Sequence, residues 1–197
     1  MWDEQYSGEI LNFNNPRDAF GIAQFLLGLD INSENPDDWQ AAYEKLSEEK
    51  PLVQSYVMDE IYNKMENGEA ALAPYYAGDF LMMVDNNPDL AFVYPKEGTN
   101  VFVDSMCIPA NAQNKEAAEL YINFMLETDI ATANANYISY GCPHTGVQSN
   151  PDYEWVGNEI LYPESVDFKT DYFHNLSDET LSLMTSLWDD LMVEGGN

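Results

Sequence analysis

The sequence has few basic residues, and this scarcity argues against several classes of partner. Only 7 Lys and Arg stand against 35 Asp and Glu, which gives a formal net charge of −28 over 197 residues. Nucleic-acid binding needs clustered basic side chains, and an anionic membrane surface would repel such a chain. The same charge would attract a cationic ligand, although acidity that only keeps a protein soluble is the simpler explanation of the bulk number.

Cysteine and histidine are also scarce, with two residues of each. Cys107 and Cys142 lack a zinc-type spacing, and two cysteines make no disulfide framework. We expect free, buried thiols, with a single bridge as the alternative. The motifs HExxH, CxxC, GxxxxGK[ST] and GxSxG do not occur, so nothing in the sequence predicts a metal or a cofactor. No run of about 18 apolar residues occurs either, so no membrane-spanning helix is predicted.

What the sequence does contain is an alternation of short apolar runs with helical patterns. Such alternation is typical of an α/β protein with a mostly parallel sheet flanked by helices. Hydrophobic residues make up 45% of the chain, which is enough for a packed core. The predicted strands are 9–13, 52–56, 70–75, 90–94 and 101–108. The predicted helices are 16–29, 58–66, 129–137, one opened by Asn35-Pro36, one from Gly78, one from Lys115 and one capped by Ser177.

Three loops are candidate ligand positions in such a fold. Ligands of parallel α/β sheets gather at the carboxyl ends of strands, beside the starts of the following helices. The rule selects residues 14–18 after the first predicted strand, residues 75–79 after ALAPYY, and the segment around 102–104.

These loops carry a resemblance to a known family. The stretches NNPRDAF, GEAALAPYYAGDF, YPKEGTNVFVDSMCIPANAQNKEAAELYINFML, NYISYGCP and LYPE stand in the order seen in spermidine/putrescine-binding proteins. The chain thus resembles the solute receptors of polyamine ABC importers. The resemblance implies a periplasmic-binding-protein-like fold, in which two α/β lobes close on a ligand like a hinge.

The resemblance also implies how the lobes divide the chain. Residues 1–97 and 148–197 resemble the second, C-terminal-type lobe, and residues 98–147 resemble a returning segment of the first lobe. A full lobe needs about 100 residues, so the beginning of lobe one is expected to be missing. We therefore expect either a fragment or a portion of a longer polypeptide, such as a receptor fused to its permease.

The incomplete lobe leads to two expectations about behaviour in solution. The predicted strand 101–108 would lack its sheet neighbours, and an unpaired apolar strand promotes association. We expect a dimer or strand exchange through residues 98–147, and weak or absent ligand binding by this chain alone.

The chemistry of a polyamine defines what its site must contain. Carboxylates are needed at the ammonium groups, where each charge-assisted hydrogen bond contributes about 1.5–3 kcal/mol. Aromatic faces are needed along the methylenes, and a ring over an ammonium adds about 0.5–2 kcal/mol.

The resemblance assigns residues in the first two loops to this chemistry. Asn15 and Asp18 occupy positions where the family has two carboxylates, so one of the two charges is replaced by an amide. Tyr76 takes the place of a tryptophan, and Asp79 stands beside it at a position that is usually small and polar. Plain helix-start roles remain open for three of them, a cap for Asn15 and first-turn acids for Asp18 and Asp79.

The third segment supplies the strongest candidate. Phe102-Val103-Asp104 stands where the family reads Trp-x-Asp, and alternation along a strand places Phe102 and Asp104 on one face. An acid between Val103 and Met106 in an apolar strand is costly unless it meets a cation. A capping or turn-bonding acid is the alternative for Asp104.

Two further residues are implied with less support from the alignment. Tyr140 in ISYGCP matches a tyrosine that lines the family's pocket. His174 in YFHN lies where the family has a glutamine, and its protonation would repel a cationic ligand.

The resulting hypothesis is an extracytoplasmic, non-enzymatic receptor that delivers a di- or polyamine to ABC permease subunits. One alternative is a receptor of the same fold for another small solute, or a degenerate lobe that serves as an interaction surface. A remote alternative is a glycoside hydrolase that uses the carboxylate pair Asp18 and Asp104.

Overall fold

The computed structural model describes residues 1–163 and 167–193. The strands are β1 (Ile10–Phe13), β2 (Val53–Val57), β3 (Thr99–Val101) and β4 (Thr170–Tyr172). The helices are α1 (Pro16–Leu27), α2 (Pro36–Glu49), α3 (Glu60–Glu66), α4 (Ala77–Asn86), α5 (Lys115–Met125), α6 (Thr128–Ile138), α7 (Thr145–Gln148) and α8 (Asp178–Val193). The α/β class with parallel strands flanked by helices is therefore confirmed.

Both strand pairs are parallel, so the two strands of each pair have their carboxyl ends at the same edge of their sheet. β1 pairs with β2, with Phe13 opposite Val57, and Ile10 forms an isolated parallel bridge to Leu72. β3 pairs with β4 in the same sense. This arrangement places the loops that follow β1 and β2 side by side.

The first two helices begin where local rules predict. Asn15 accepts a hydrogen bond from the Arg17 N–H at 3.0 Å, and Asn35 accepts one from the Asp37 N–H at 3.2 Å. Proline follows each cap at the first helical position, where its missing N–H costs nothing. α1 ends two residues earlier than predicted, because Gly28 adopts the left-handed conformation (φ 70°) that closes a helix.

Arg17 fastens the first turn of α1 to distant parts of the chain. Its guanidinium donates to the carbonyl of Ile31 at 2.7 Å, to Asn32 Oδ1 at 2.7 Å and to the carbonyl of His174 at 3.2 Å. It also lies 4.6 Å from the centre of the Phe173 ring. We call these contacts the Arg17 clamp. They join α1 to the segment between β4 and α8.

The main core lies between α1, α2 and α8. Phe20 and Trp39 are fully buried with ring centres 5.4 Å apart, and Trp188 packs 6.4 Å from Phe20. A second buried cluster beneath β1 contains Leu11, Phe13 and Ile61, and it extends to partly buried tyrosines of the loop before α4. The second cluster supports the site described below.

Of the predicted strands, 90–94 is wrong and 70–75 is reduced to a single bridge. Residues 90–94 form no strand, and their rings pack against other aromatic side chains instead. The ring centre of Phe92 lies 5.3 Å from that of Phe80, and the ring centre of Tyr94 lies 4.9 Å from that of Phe168 in a stacked arrangement. Residues 70–75 contribute only the bridge at Leu72. The 90–94 run is thus used for side-chain packing, whereas the 70–75 run adds a short set of backbone hydrogen bonds beside β1, with Leu11 N–H donating to Leu72 and Ala71 N–H donating to Glu9.

The predicted strand 101–108 is also wrong. β3 ends at Val101, and the side chains of Phe102, Val103 and Met106 are 45%, 69% and 51% exposed. β4 is the neighbour of β3 among the described residues, so residues beyond Val101 find no ladder partner there. β4 and the short α7 were not predicted.

Two further predictions concern the cysteines and membrane-spanning helices. Both thiols, Cys107 and Cys142, are free as predicted, but the prediction that they are buried is wrong: Cys107 is exposed and Cys142 is partly exposed. Within the residues that the structure describes, no helix combines the length and apolar character needed to cross a bilayer.

Candidate functional site

The loops after β1 and β2 are joined where the two strands end. The Asn14 N–H donates to the carbonyl of Val57 at 3.0 Å, so the backbone of one loop holds the other. The first loop leads to Asp18 in the first turn of α1, and the second leads at once to Asp59. Both acids therefore lie near the same sheet edge.

Five aromatic rings meet beside this edge, and we call them the aromatic cluster: Phe13, Tyr75, Tyr76, Phe102 and Tyr140. Tyr76 is central, with its ring centre 5.8 Å from Phe13, 5.2 Å from Tyr75 and 5.6 Å from Phe102. Phe102 in turn meets Tyr140 edge-on at 5.7 Å. The cluster joins residues from four separate parts of the chain.

Tyr140 reaches the cluster through an unusually close approach to α4. A Cβ atom built on Gly78 would lie 2.3 Å from Cδ1 of Tyr140 and 2.6 Å from the carbonyl oxygen of Ser139. Ser139 ends α6 in the left-handed conformation, with φ 54°, which turns the chain toward α4. Glycine is therefore required at position 78 for Tyr140 to sit where it does.

Asp79 lies between the cluster and the start of α4. Its Oδ2 accepts a hydrogen bond from the Tyr140 hydroxyl at 3.4 Å. Burial raises the pKa of Asp79, the bond from Tyr140 lowers it, and the charge of Asp59 raises it further. The carboxylate is thus partly desolvated, which is unfavourable in the absence of a cation.

Asp18 is in a similar state on the other side of the first loop. Burial raises its pKa, and the positive charge of Arg17 opposes that effect. The guanidinium of Arg17 is itself committed to the clamp, and the Asp18 carboxylate is therefore a candidate for a ligand cation.

The tyrosines of the cluster are partly buried and lie near several carboxylates. Burial is the main cause that raises the pKa of Tyr75 and of Tyr140, each to about 12, and Asp79 is the second cause for both. The pKa of Tyr76 is raised by burial and then by Asp18, Asp79, Asp59 and Asp104. Carboxylates thus surround aromatic faces, an arrangement suited to an organic cation.

Asp104 requires a correction to the sequence argument. It was expected in an apolar strand, where an unpaired charge would be costly, but the structure leaves it exposed beyond the end of β3. Its charge still acts on Tyr76 and Tyr140, and Phe102 contacts both rings. Phe102 therefore joins the cluster and Asp104 lies within electrostatic reach of it, but burial gives no reason for Asp104 to have a partner.

Asn15 and His174 are placed differently. The Asn15 oxygen caps α1, which leaves one lone pair for a ligand. His174 is exposed, and its described contacts are made by its backbone, with its N–H donating to Asn32 and its carbonyl accepting from Arg17. Of the eight predicted residues, the structure gathers six around the cluster: Asp18, Tyr76, Asp79, Phe102, Asp104 and Tyr140.

Sequence reasoning missed three residues of this region. Phe13 ends β1 and lies beneath the two tyrosines, and Tyr75 directly precedes Tyr76. Asp59 follows the end of β2 by two residues. The position of Asp59 after a strand end was a signal that the same rule about ligand loops could have used.

A separate cavity of about 240 Å³ lies between the end of α7 and the segment that follows it. It is lined by Gln148, Tyr153, Val156, Gly157 and Tyr162. None of the predicted site residues lines it, and its lining carries no carboxylate for a cation.

Comparison with known proteins decides the family. The sequence profile described as bacterial extracellular solute-binding protein matches residues 1–161. This chain belongs to that family. The predicted resemblance to solute receptors is therefore confirmed.

The similar curated proteins are named for polyamines. The spermidine/putrescine-binding periplasmic protein of Escherichia coli is 31% identical over 89% of this chain, and that of Salmonella typhimurium is 33% identical over 84%. These matches cover 50% and 47% of the relatives, so the chain spans about half the length of the curated relatives it matches.

Solved structures agree in fold. A Listeria monocytogenes structure named for a spermidine/putrescine ABC transporter has a TM-score of 0.87 and 31% identity, covering 97% of this chain and 59% of its own. The spermidine/putrescine ABC transporter substrate-binding protein of Streptococcus pneumoniae has a TM-score of 0.82 and 25% identity, covering 98% and 60%. The relatives are thus transport solute-binding proteins.

Proposed function

We propose that this chain is part of the substrate-binding component of a polyamine importer and that it holds an amine at the aromatic cluster. One observation carries the proposal: the ring of Tyr76 contacts three other rings of the aromatic cluster while four carboxylates act on it. Rings along the methylenes and carboxylates at the ammonium groups are the two elements that such a ligand needs. The names of the relatives support the same ligand class.

The remaining assignments follow from this role. A solute-binding component works outside the cytoplasm and passes its ligand to ABC permease subunits, either separate or in the same polypeptide. It performs no catalysis. Residues 98–147 would belong to one lobe, and residues 1–97 and 148–197 to the other, with the cluster formed by both.

Amine titrations test the proposal directly. Putrescine and spermidine are added to the 197-residue chain at low ionic strength, and binding is followed by NMR shifts into the millimolar range, because weak binding is expected. We expect saturable shifts that weaken with added salt, and a loss of affinity of about tenfold in Asp104→Ala. A saturable response that neither added salt nor Asp104→Ala weakens would contradict the proposal.

One observation favours a second candidate, a receptor of the same fold for a different solute. The Asn15 oxygen is engaged in capping and brings no charge, so the site lacks one carboxylate that the resemblance implies. A panel of other small cations and neutral solutes in the same titration distinguishes the two, since only the second candidate predicts a preference for a non-polyamine.

A further inference from the structure

Residues 140–142 carry Tyr140 into the aromatic cluster, and they lie between α6 and α7 outside any helix or strand. Ser139, just before them, is the one residue other than glycine with a positive φ in the described part of the chain. The described hydrogen bonds of the backbone at 140–142 are made by side chains and by no other backbone group. The position of Tyr140 therefore depends on those side chains.

The hydroxyls of Tyr153 and Tyr162 form a chain of hydrogen bonds between the two ends of this segment. The Cys142 N–H donates to the Tyr162 hydroxyl at 2.6 Å, and the two hydroxyls lie 2.7 Å apart. The Tyr153 hydroxyl donates to the carbonyl of Tyr140 at 3.3 Å. Since Tyr153 uses its proton on Tyr140, Tyr162 donates to Tyr153, and each hydroxyl gives one bond and accepts one. The carbonyl of Cys142 accepts from Gln148 at 2.8 Å and lies 3.3 Å from the Tyr162 hydroxyl.

The two tyrosine rings are themselves fixed by packing. Tyr153 is 3% exposed and belongs to a buried group with Ala135 and Val147, and Tyr162 packs against that group. The Tyr162 N–H also donates to the carbonyl of Asn158 at 2.8 Å, which fixes the backbone that carries its ring. A hydroxyl on a ring held in this way has one direction in which to point, so it can hold the backbone that it bonds.

Tyr140 is the point at which the segment meets the site. Its ring lies 5.7 Å from that of Phe102, and its hydroxyl donates to Asp79 at 3.4 Å. We infer that Tyr153 and Tyr162 are positioning residues of the amine site, which act through the backbone that they bond to hold Tyr140 in the cluster. The inference rests on the proposed function. It gives a role to the LYPE stretch, whose tyrosine is Tyr162.

The first experiment measures the position of Tyr140 in the ligand-free chain. Tyr162→Phe removes the hydroxyl that accepts the Cys142 N–H, and we expect the nuclear Overhauser effect between the ring protons of Tyr140 and Phe102 to lose intensity. The control is Tyr94→Phe, which removes a 2.5 Å bond to the carbonyl of Ile160, two residues before Tyr162, and no bond to the Tyr140 segment. This variant should leave the nuclear Overhauser effect unchanged.

The second experiment measures putrescine binding by NMR titration. We expect Tyr162→Phe to weaken binding by about fivefold and Tyr94→Phe by less than about twofold, since only the first loses a bond to the segment that carries Tyr140. In Tyr140→Ala there is no ring to position, so adding Tyr162→Phe should weaken binding by less than about twofold more. Urea midpoints should fall in both single tyrosine variants, because each loses a hydrogen bond of a partly buried hydroxyl.

The remaining outcomes separate the inference from the function beneath it. An unchanged nuclear Overhauser effect in Tyr162→Phe would overturn the inference, whatever the chain binds. A loss of affinity that Tyr94→Phe reproduces, or that persists in full in the Tyr140→Ala background, would also overturn it and leave the proposed function standing. A weakened nuclear Overhauser effect with putrescine binding that neither salt nor Asp104→Ala weakens would retain the positioning of Tyr140 and overturn the amine site.

Discussion

The hydroxyl of Tyr140 donates to the carboxylate of Asp79 across 3.4 Å, and this bond links the end of α6 to the start of α4. In the proposed division, the two residues belong to different lobes. Their contact makes the geometry of the site depend on how closely the two parts of the chain approach.

Gly78→Ala tests that dependence. Alanine normally stabilises a helix by about 1 kcal/mol relative to glycine, but here the added Cβ meets Tyr140 at 2.3 Å. We expect a loss of stability of about 1–3 kcal/mol and weaker putrescine binding. Urea unfolding and NMR titration measure the two effects. Gly141→Ala is the control, because its nearest neighbour would lie at 3.5 Å, an ordinary contact, and it should change neither quantity.

Asp79→Asn should separate stability from binding. Burial raises the pKa of Asp79, so the charged form is disfavoured when no cation is bound. The variant should be more stable than the wild type at neutral pH, by less than about 1 kcal/mol because water screens a half-buried group. The gain should be greatest above the folded pKa and vanish in acid, where wild-type Asp79 is protonated.

The same variant should bind amines more weakly and with a flatter pH profile. In the wild type, protonation of Asp79 and Asp18 on acidification removes the charges that attract an ammonium group. Affinity should therefore fall on acidification in the wild type, at a pH above the ordinary pKa of an aspartate because both pKa values are raised, and less steeply in Asp79→Asn. Parallel pH profiles in the two proteins would remove Asp79 from the site.

Glu49 should make stability depend on pH for a different reason. It is fully buried, and burial raises its pKa to about 7, although its Oε2 accepts a hydrogen bond from Asn12 at 2.8 Å. A pKa that is higher in the folded state gives stability below the unfolded value, near 4.5, that is lost as the pH rises through about 7. Glu49→Gln should therefore be more stable than the wild type at about pH 8, by up to about 3 kcal/mol, and equal to it near pH 4.

Urea unfolding across this pH range measures the Glu49 effect. Glu48→Gln is the control, since the side chain of Glu48 is next to Glu49 in the sequence but is 63% exposed and pairs with Lys45 at the surface. A pH-independent gap between Glu49→Gln and the wild type would contradict the expected titration.

The prediction of self-association through residues 98–147 remains to be tested, and the exposed surface of α5 gives it a concrete form. This helix has no buried residue, and Leu120, Tyr121 and Phe124 are 64%, 59% and 46% exposed. We expect light scattering to show dimers that dissociate in Leu120→Glu. Leu181→Glu on α8, where Leu181 is 47% exposed, should leave them intact. A wild-type chain that stays monomeric at high concentration would contradict the prediction.

Helix starts could be predicted because their chemistry is local. Asn15 and Asn35 each accept a hydrogen bond from the backbone N–H two residues ahead, and this pattern can be recognised without knowledge of the rest of the fold. Strands were harder, because a ladder needs a partner elsewhere in the chain. The run 90–94 looked like a strand but uses Phe92 and Tyr94 for ring packing, and β4 is three residues long with a polar centre at Asp171.

The sequence predicted the main aromatic residues of the site better than it predicted the acidic ones. The resemblance located Tyr76, Phe102 and Tyr140, which the structure brings into one cluster. Asp59 has no counterpart in that resemblance, although its position two residues after the end of β2 satisfies the rule about ligand loops. The argument that Asp104 needs a cation depended on a strand that does not continue beyond Val101.

The Arg17 clamp sets a minimum length for a working site. The family profile ends at residue 161, and every predicted carboxylate lies before that point. Asp18, however, follows directly after Arg17, whose guanidinium is held by Phe173 and by the carbonyl of His174. A domain boundary drawn at the end of the profile would keep all the charges but remove two of the contacts that hold the residue beside one of them, so a unit that preserves the proposed site has to extend at least to His174.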